Sequence, residues 1–424
     1  MSVPTTSKNR TERAREVLAR CEALANFSED ANSLRRTFLS PPMHNCHASI
    51  AAWLKPLGIS AKVDAAGNLR GIYPGVAAAS PRLLIGSHLD TVPNAGKYDG
   101  ILGVVLAVAL LEELDGRRLP FAIEVVGFSE EEGVRFGVPF IGSRALVGRI
   151  DEELLGRRDR NGISVREAIQ QFGLDDRGIG EVALWDDALG YLEFHIEQGP
   201  VLEKAGRQLG VVEAIVGQTR LTLRFLGRAN HSGTTPMHAR QDALAAAAEW
   251  MVAVESHAKQ SSGLVATVGS IEAKPGATNV IPGEVRLSLD VRHKSDELRA
   301  RTVQELTALA EAIARKRGLC SQWNPLLEQN AVLLEGFLAG QIEFAIQSAG
   351  CEPYRMTSGA GHDAMILAER VPSAMIFLRS PGGISHDPAE AVLLEDVEKA
   401  IEAGARLLDQ LALSPEFLER KHRA

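Results

Sequence analysis

Imidazoles and carboxylates recur at the ends of apolar runs in this chain. His88 follows "RLLIGS", and Asp99 stands eleven residues later, inside "GSHLDTVPNAGKYDGILG". Glu130, Glu131 and Glu132 follow "FAIEVVGFS". His195 lies in "YLEFHIEQG", and His386 follows "AMIFLRSPGGIS". Each has an ordinary explanation alone. Asp and Gly are turn residues, a histidine at a strand end is usually structural, and adjacent glutamates usually form a solvated face. Together they are harder to dismiss. Several carboxylates set against interior sequence are costly unless a cation compensates. Two or three imidazoles with carboxylates on one rim form a nitrogen-and-oxygen donor set for a divalent metal. Other chemistries lack their signatures: there is no GxSxG elbow, P-loop, strand-to-helix GxGxxG or HExxH.

The elements that must position these groups follow an α/β pattern. "TERAREVLARCEALANF" and "HASIAAWLKPLG" read as helices, the second ended by Gly58. "SAKVDAAGNLRGIYPG" reads as a hairpin turning at "AAGN". Then follow "PRLLIGSHLD" as strand, "GILGVVLAVALLEEL" as helix and "FAIEVVGFSEEE" as strand. This alternation predicts a mostly parallel sheet, whose strand carboxyl ends are where such folds place ligands. From about Ile215 the texture changes to alternating strands. "QTRLTLRFLG", "LVATVGSIEA", "EVRLSLDVRH" and "LCSQW" are strands. "ARQDALAAAAEWMVAVESHAKQ" and "SDELRARTVQELTALAEAIARKRG" are helices, the latter with Ser295 as N-cap. The order is βαββαβ, a ferredoxin-like unit. The α/β texture returns with "GFLAGQIEFAIQSAG" and "SAMIFLR". The expected organisation is a catalytic domain in two parts, residues 1–215 and 330–424, interrupted by an inserted domain over 216–329.

"GSHLDTVPNAGKYDGILG", "FSEEEGVRFG", "HIEQGPVLE", "HSGTTPM" and "SGAGHDAM" occur in order over nearly the whole chain. In these motifs the chain resembles the dinuclear-metal amidohydrolase branch of the M20 metallopeptidase family. That branch includes allantoate amidohydrolase, ureidopropionase and N-carbamoyl-L-amino-acid hydrolase. The resemblance implies two divalent ions, Zn²⁺ or Mn²⁺ with Co²⁺ or Ni²⁺ as alternatives. It implies that Asp99 bridges them, that His88 and His195 complete one, and that Glu132 and His386 complete the other. Glu131 would be the general base toward a water shared by the metals. The inserted domain would be a lid and dimerisation domain, with His231 serving the oxyanion across a homodimer. Asn279, Arg292, Gln198 and Gly361 would bind substrate, Arg292 by clamping a carboxylate. His362 and Asp363 would shape their loop. His44, His47, His238, His257, His293 and His422 are left as structural or surface residues.

The implied substrate is a small anionic ureido compound. Allantoate comes first, because "RTFLSPPMHNCHASIAAWLKPLGISAKVDAAGNLRG" looks more like that branch. N-carbamoyl-L-amino acids or a ureidopropionase substrate come second. A dipeptide is a distant third, because His195 occupies a position usually held by a carboxylate in the peptidases. A scaffold that lost its chemistry is disfavoured, since no implied ligand is missing. Composition agrees with a globular enzyme: 424 residues, 45% hydrophobic, 24% charged, net charge −8 and no basic block, so no nucleic-acid partner is expected. The run Val104–Leu111 is too short to span a membrane. The opening stretch lacks the apolar core of a secretory signal, and four scattered cysteines form no CxxC pair. The expected location is cytoplasmic.

Overall fold

The computed structural model describes residues 9–184 and 187–419; His422 lies outside them. It contains two compact units. The first takes the chain up to 213, then 334–356 and from 361 onward; the second takes 214–333 and 357–360.

In the first unit, four strands lie side by side in the order Ala122–Phe128, Arg82–His88, Ala188–Ile196, Ser373–Leu378. All three contacts between them are parallel. Nearly every residue in them is buried, as expected for parallel strands covered on both faces. Antiparallel strands flank this group: Leu69–Tyr73 on one side and Leu209–Ile215 on the other. The helix Ile101–Glu113 joins the first two parallel strands and packs on the sheet. Its residues 101–111 are all buried, because the helices Arg10–Ala25 and Leu394–Ala412 pack against it in turn. That explains a helix apolar all round rather than on one stripe. Because the four strands are parallel, their carboxyl ends share one edge. His88 and Ile196 close two of them, and the loops 129–132 and 379–393 leave the other two.

The second helix begins at Pro41, six residues before its predicted start. Pro41 and Pro42 fill positions where a missing N–H costs nothing. After Leu54 the chain tightens into a short turn and stops at Gly58, whose φ of 76° is left-handed.

The second unit is an antiparallel sheet in the order Ile271–Lys274, Glu284–His293, Gly217–Leu226, Cys320–Gln329. The helices Ala243–Ala258 and Asp296–Lys316 pack against it and enclose a separate core around Trp250, Phe225, Leu287 and Leu306. Ser295 caps the second helix through Leu298 N at 3.2 Å. The strand expected across "LVATVGSIEA" is two pieces, Val265–Thr267 and Ile271–Lys274, both paired to Glu284–His293. The strand predicted at "LCSQW" runs on to Gln329 with a register shift beyond Pro325. It lies at the sheet edge, where a proline is tolerated.

Candidate metal centre

The shared strand edge of the first unit gathers His88, Asp99, Glu131, Glu132, His195, Gln198 and His386. Asp99 lies centrally among them. Its Oδ1 is 3.2 Å from His195 Nε2 and 3.7 Å from His88 Nε2; its Oδ2 is 3.1 Å from His386 Nε2. His386 Nε2 is also 3.4 Å from Glu132 Oε1. Two sets of ligand atoms therefore share one carboxylate: His88, Asp99 and His195, and Asp99, Glu132 and His386. Within each set the atoms lie within 4.8 Å of one another. His88, Glu131 and Glu132 form a further such set, as do Glu193, His195 and His362.

The ring nitrogens are prepared for a cation. His88 Nδ1 faces the carbonyl of Asp90 at 3.0 Å, and His195 Nδ1 faces that of Ile196 at 2.9 Å. A carbonyl only accepts, so each Nδ1 carries a proton, and a neutral ring here would turn its Nε2 lone pair inward toward a cation. The two Nε2 atoms are 3.4 Å apart beside Asp99. Two lone pairs and a carboxylate converging in a buried space suit a metal ion and little else. These residues fit the divalent ions that the motifs imply.

The electrostatics show how tightly the groups are coupled. Burial works against the charge of Asp99, but His195, His386 and His88 outweigh it and hold the carboxyl well below its usual range. Burial pushes Glu131 well above the usual range, and Glu132, Asp363 and Asp90 add to that while His88 opposes it.

Local structure explains how three consecutive glutamates serve different ends. Glu130, at φ 51°, turns its side chain into the protein. Its Oε2 accepts from Phe38 N at 3.0 Å, and its Oε1 accepts from Arg135 N at 2.8 Å and Phe136 N at 3.3 Å. It ties loops together and contributes nothing to the metal sets. The backbone of the next two is held by Asp90, whose oxygens accept from Glu131 N at 2.9 Å and Glu132 N at 3.1 Å. Glu390 makes a second clasp. Its Oε1 accepts from Tyr98 N at 2.8 Å and Asp99 N at 3.1 Å, and its Oε2 accepts from Ser385 Oγ at 3.1 Å. One buried carboxylate thus fixes the loop of Asp99 to that of His386. Asp90 and Glu390 escaped the sequence reading. The signal for Asp90 was its place two residues past His88 in "HLD"; for Glu390 the chain offers no comparable cue. Gly100 has a steric reason: a Cβ there would sit 2.4 Å from the His88 ring.

The substrate-binding candidates fare unevenly. Gln198, at φ 60°, directs Nε2 to both oxygens of Asp99, at 3.2 and 3.1 Å. A Cβ at Gly361 would lie 2.9 Å from the Phe140 ring, so local packing also favours glycine there. His362 and Asp363 are buried. The His362 ring lies 4.5 Å from that of His195, edge to face, and Asp363 sits close enough to raise Glu131. His47 is buried too, and burial lowers it to about 3.

In the second unit, His231 and Asn279 come together although 48 positions separate them. The short strand Asn230–His231 pairs with Val280–Ile281, and Ser232 N donates to Asn279 O at 3.0 Å. Arg292 lies near the end of Glu284–His293. Its guanidinium already has partners within the second unit. Nε and Nη2 fork onto Asp290 at 3.0 and 2.9 Å, and Nη1 donates to Gly359 O at 2.7 Å. One N–H on each terminal nitrogen remains.

Comparison with known proteins agrees with this chemistry. The family model for peptidase family M20/M25/M40 matches residues 84–410. An allantoate deiminase from Arabidopsis thaliana is 40% identical over 91% of this chain and 80% of its own length. An N-carbamoyl-L-amino acid amidohydrolase from Geobacillus stearothermophilus is 38% identical over 86% of this chain and 90% of its own. Among solved structures, a hydantoinase/carbamoylase-family amidase from Burkholderia multivorans aligns with a TM-score of 0.89 at 29% identity, covering 95% of this chain and 98% of the other.

Proposed function

Because the chain belongs to peptidase family M20/M25/M40, we propose that it hydrolyses a carbon–nitrogen bond in a small anionic ureido compound, with allantoate the first choice. It is an amidohydrolase-type enzyme of a metal-dependent family. The observation that carries the proposal is the pair of ligand sets sharing Asp99, with Glu131 beside them.

When bound, two divalent cations supply Lewis-acid polarisation of the ureido carbonyl and make a water molecule more acidic. His88, Asp99 and His195 would hold one, and Asp99, Glu132 and His386 the other. Glu131 takes a proton from the attacking water and returns it to the departing nitrogen. A neutral His231 donates from Nε2 to the developing oxyanion, since its Nδ1 accepts from Gly233 N at 3.1 Å. Asn279 and Gln198 orient the amide groups of the substrate. Water adds to the carbonyl and the C–N bond breaks. The amine and a carbamate leave, and the carbamate decomposes to ammonia and carbon dioxide.

The second reading is an N-carbamoyl-L-amino-acid hydrolase. The identities of 40% and 38% separate the two readings weakly. A panel of allantoate, N-carbamoyl-methionine, N-carbamoyl-β-alanine and a dipeptide, scored by product release, decides between them. Fastest turnover of allantoate supports the first choice, and fastest turnover of the dipeptide sinks the ureido reading altogether. The protein would act in the cytoplasm, a location with which four free cysteine thiols agree. It would act as a homodimer through the second unit; a monomeric mass in active solution counts against this.

Arg292 would bind the substrate carboxylate with its two remaining N–H groups while Asp290 and Gly359 hold the guanidinium flat. Lysine presents a point charge and cannot reproduce that arrangement. Arg292→Lys should therefore cost roughly 2–5 kcal/mol in kcat/KM on the anionic substrate. The amide analogue should be a poor substrate for both proteins and nearly indifferent to the change. Equal loss on both substrates would mean that Arg292 only braces its strand.

A further inference from the structure

The loop that carries His231 is closed on itself by one side chain. Arg240, half-buried at its far end, sends Nη2 to Ser232 O at 2.7 Å and Nε to Thr235 O at 3.1 Å. Thr235 in turn bonds back to His231 O, through Oγ1 at 2.8 Å and its own N–H at 3.2 Å. Ser232 N reaches Asn279 O at 3.0 Å, and Gly233 N reaches His231 Nδ1 at 3.1 Å. The histidine itself is exposed, so no packing fixes its ring. What holds it is this ring of backbone bonds, and the guanidinium fork is the only side chain among the described residues bonded to two carbonyls within 232–235.

We infer that Arg240 is a positioning residue for the reaction. By forking onto Ser232 O and Thr235 O it keeps Gly233 N aimed at His231 Nδ1, so the proton of the neutral ring stays on Nε2. The inference rests on the proposed role of His231 as donor to the oxyanion. A ring with its proton on Nδ1 offers a lone pair to the developing negative charge, which opposes the reaction. Backbone N–H groups are donors only, so the tautomer follows from the loop alone. Two carbonyls about one turn apart suit a planar two-pronged donor. A lysine ammonium can serve them singly but is not preorganised to hold both.

The test uses the full chain labelled with ¹⁵N-histidine. The ring nitrogens of His231, assigned by their loss in His231→Ala, should show an acceptor-type Nδ1 and a protonated Nε2. Arg240→Ala should mix the tautomers and lower kcat roughly ten- to a hundred-fold, the scale of a small misplacement at a reacting group, with KM little changed. Arg240→Lys should fall between, and its unchanged melting temperature would separate the effect from misfolding. Combined with His231→Ala, Arg240→Ala should cost nothing further, because both act through one ring. An unchanged tautomer with unchanged kcat overturns the inference, and so does additive loss in the double variant. A mixed tautomer, with kcat unaffected by either Arg240→Ala or His231→Ala, supports the positioning and overturns the assigned role of His231.

Discussion

Glu131→Gln should remove turnover while leaving bound metal near the native level. Glutamine has almost the same shape, and its backbone N–H would still bond to Asp90 Oδ1. What it lacks is the ability to take a proton. Loss of a general base typically costs 10²–10⁴-fold in kcat, and more where no other group can substitute. The nearby carboxylates of Asp99 and Glu132 are committed to the proposed metal sets. Glu131 also lies in a set with His88 and Glu132, so the experiment must report metal content together with rate. Near-native kcat would remove Glu131 from the chemistry. Loss of metal alongside activity would make it a ligand instead of a base.

Chelation should have an equally large effect. EDTA should abolish activity, and Mn²⁺, Co²⁺ or Zn²⁺ should restore it, with about two ions per chain in the reconstituted protein, the number the paired ligand sets imply. Because the ligands must shed protons to bind, affinity should weaken as pH falls. Full activity in protein shown by elemental analysis to be metal-free would end the assignment.

The positions of the metal candidates were legible because parallel strands are continuous apolar runs, and an ionisable residue marks where each ends. His88 stands out for that reason, while His386 lies eight residues past Leu378 in the loop that leaves its strand. The division of labour among Glu130, Glu131 and Glu132 was not legible, since side-chain type is identical and only the backbone turn at Glu130 separates them. Asp90 and Glu390 act on backbone N–H groups of residues distant in sequence, and only Asp90, two residues past His88, has a cue in the spacing of the chain. Leu209–Ile215 was overlooked as a strand because it runs into Gly217–Leu226 with one residue between. For Arg292, the pairing with Asp290, two positions away on the same strand face, follows from the alternation of side chains along a strand.

The four parallel strands have a further consequence for how the protein is made. The ligands run from His88 to His386, almost three hundred positions, and the set of Asp99, Glu132 and His386 closes only after Ser373–Leu378 has taken its place beside Ala188–Ile196. His88, Asp99 and His195 need only the neighbouring strands Arg82–His88 and Ala188–Ile196, so that set can form while the other is still open. Under the proposed function, the ion held by Asp99, Glu132 and His386 would be captured only by the finished sheet, and the energy released on its binding would accrue to the native state alone. That ion would act as a late lock on the topology, and metal supply would set how long the enzyme survives as well as how fast it works.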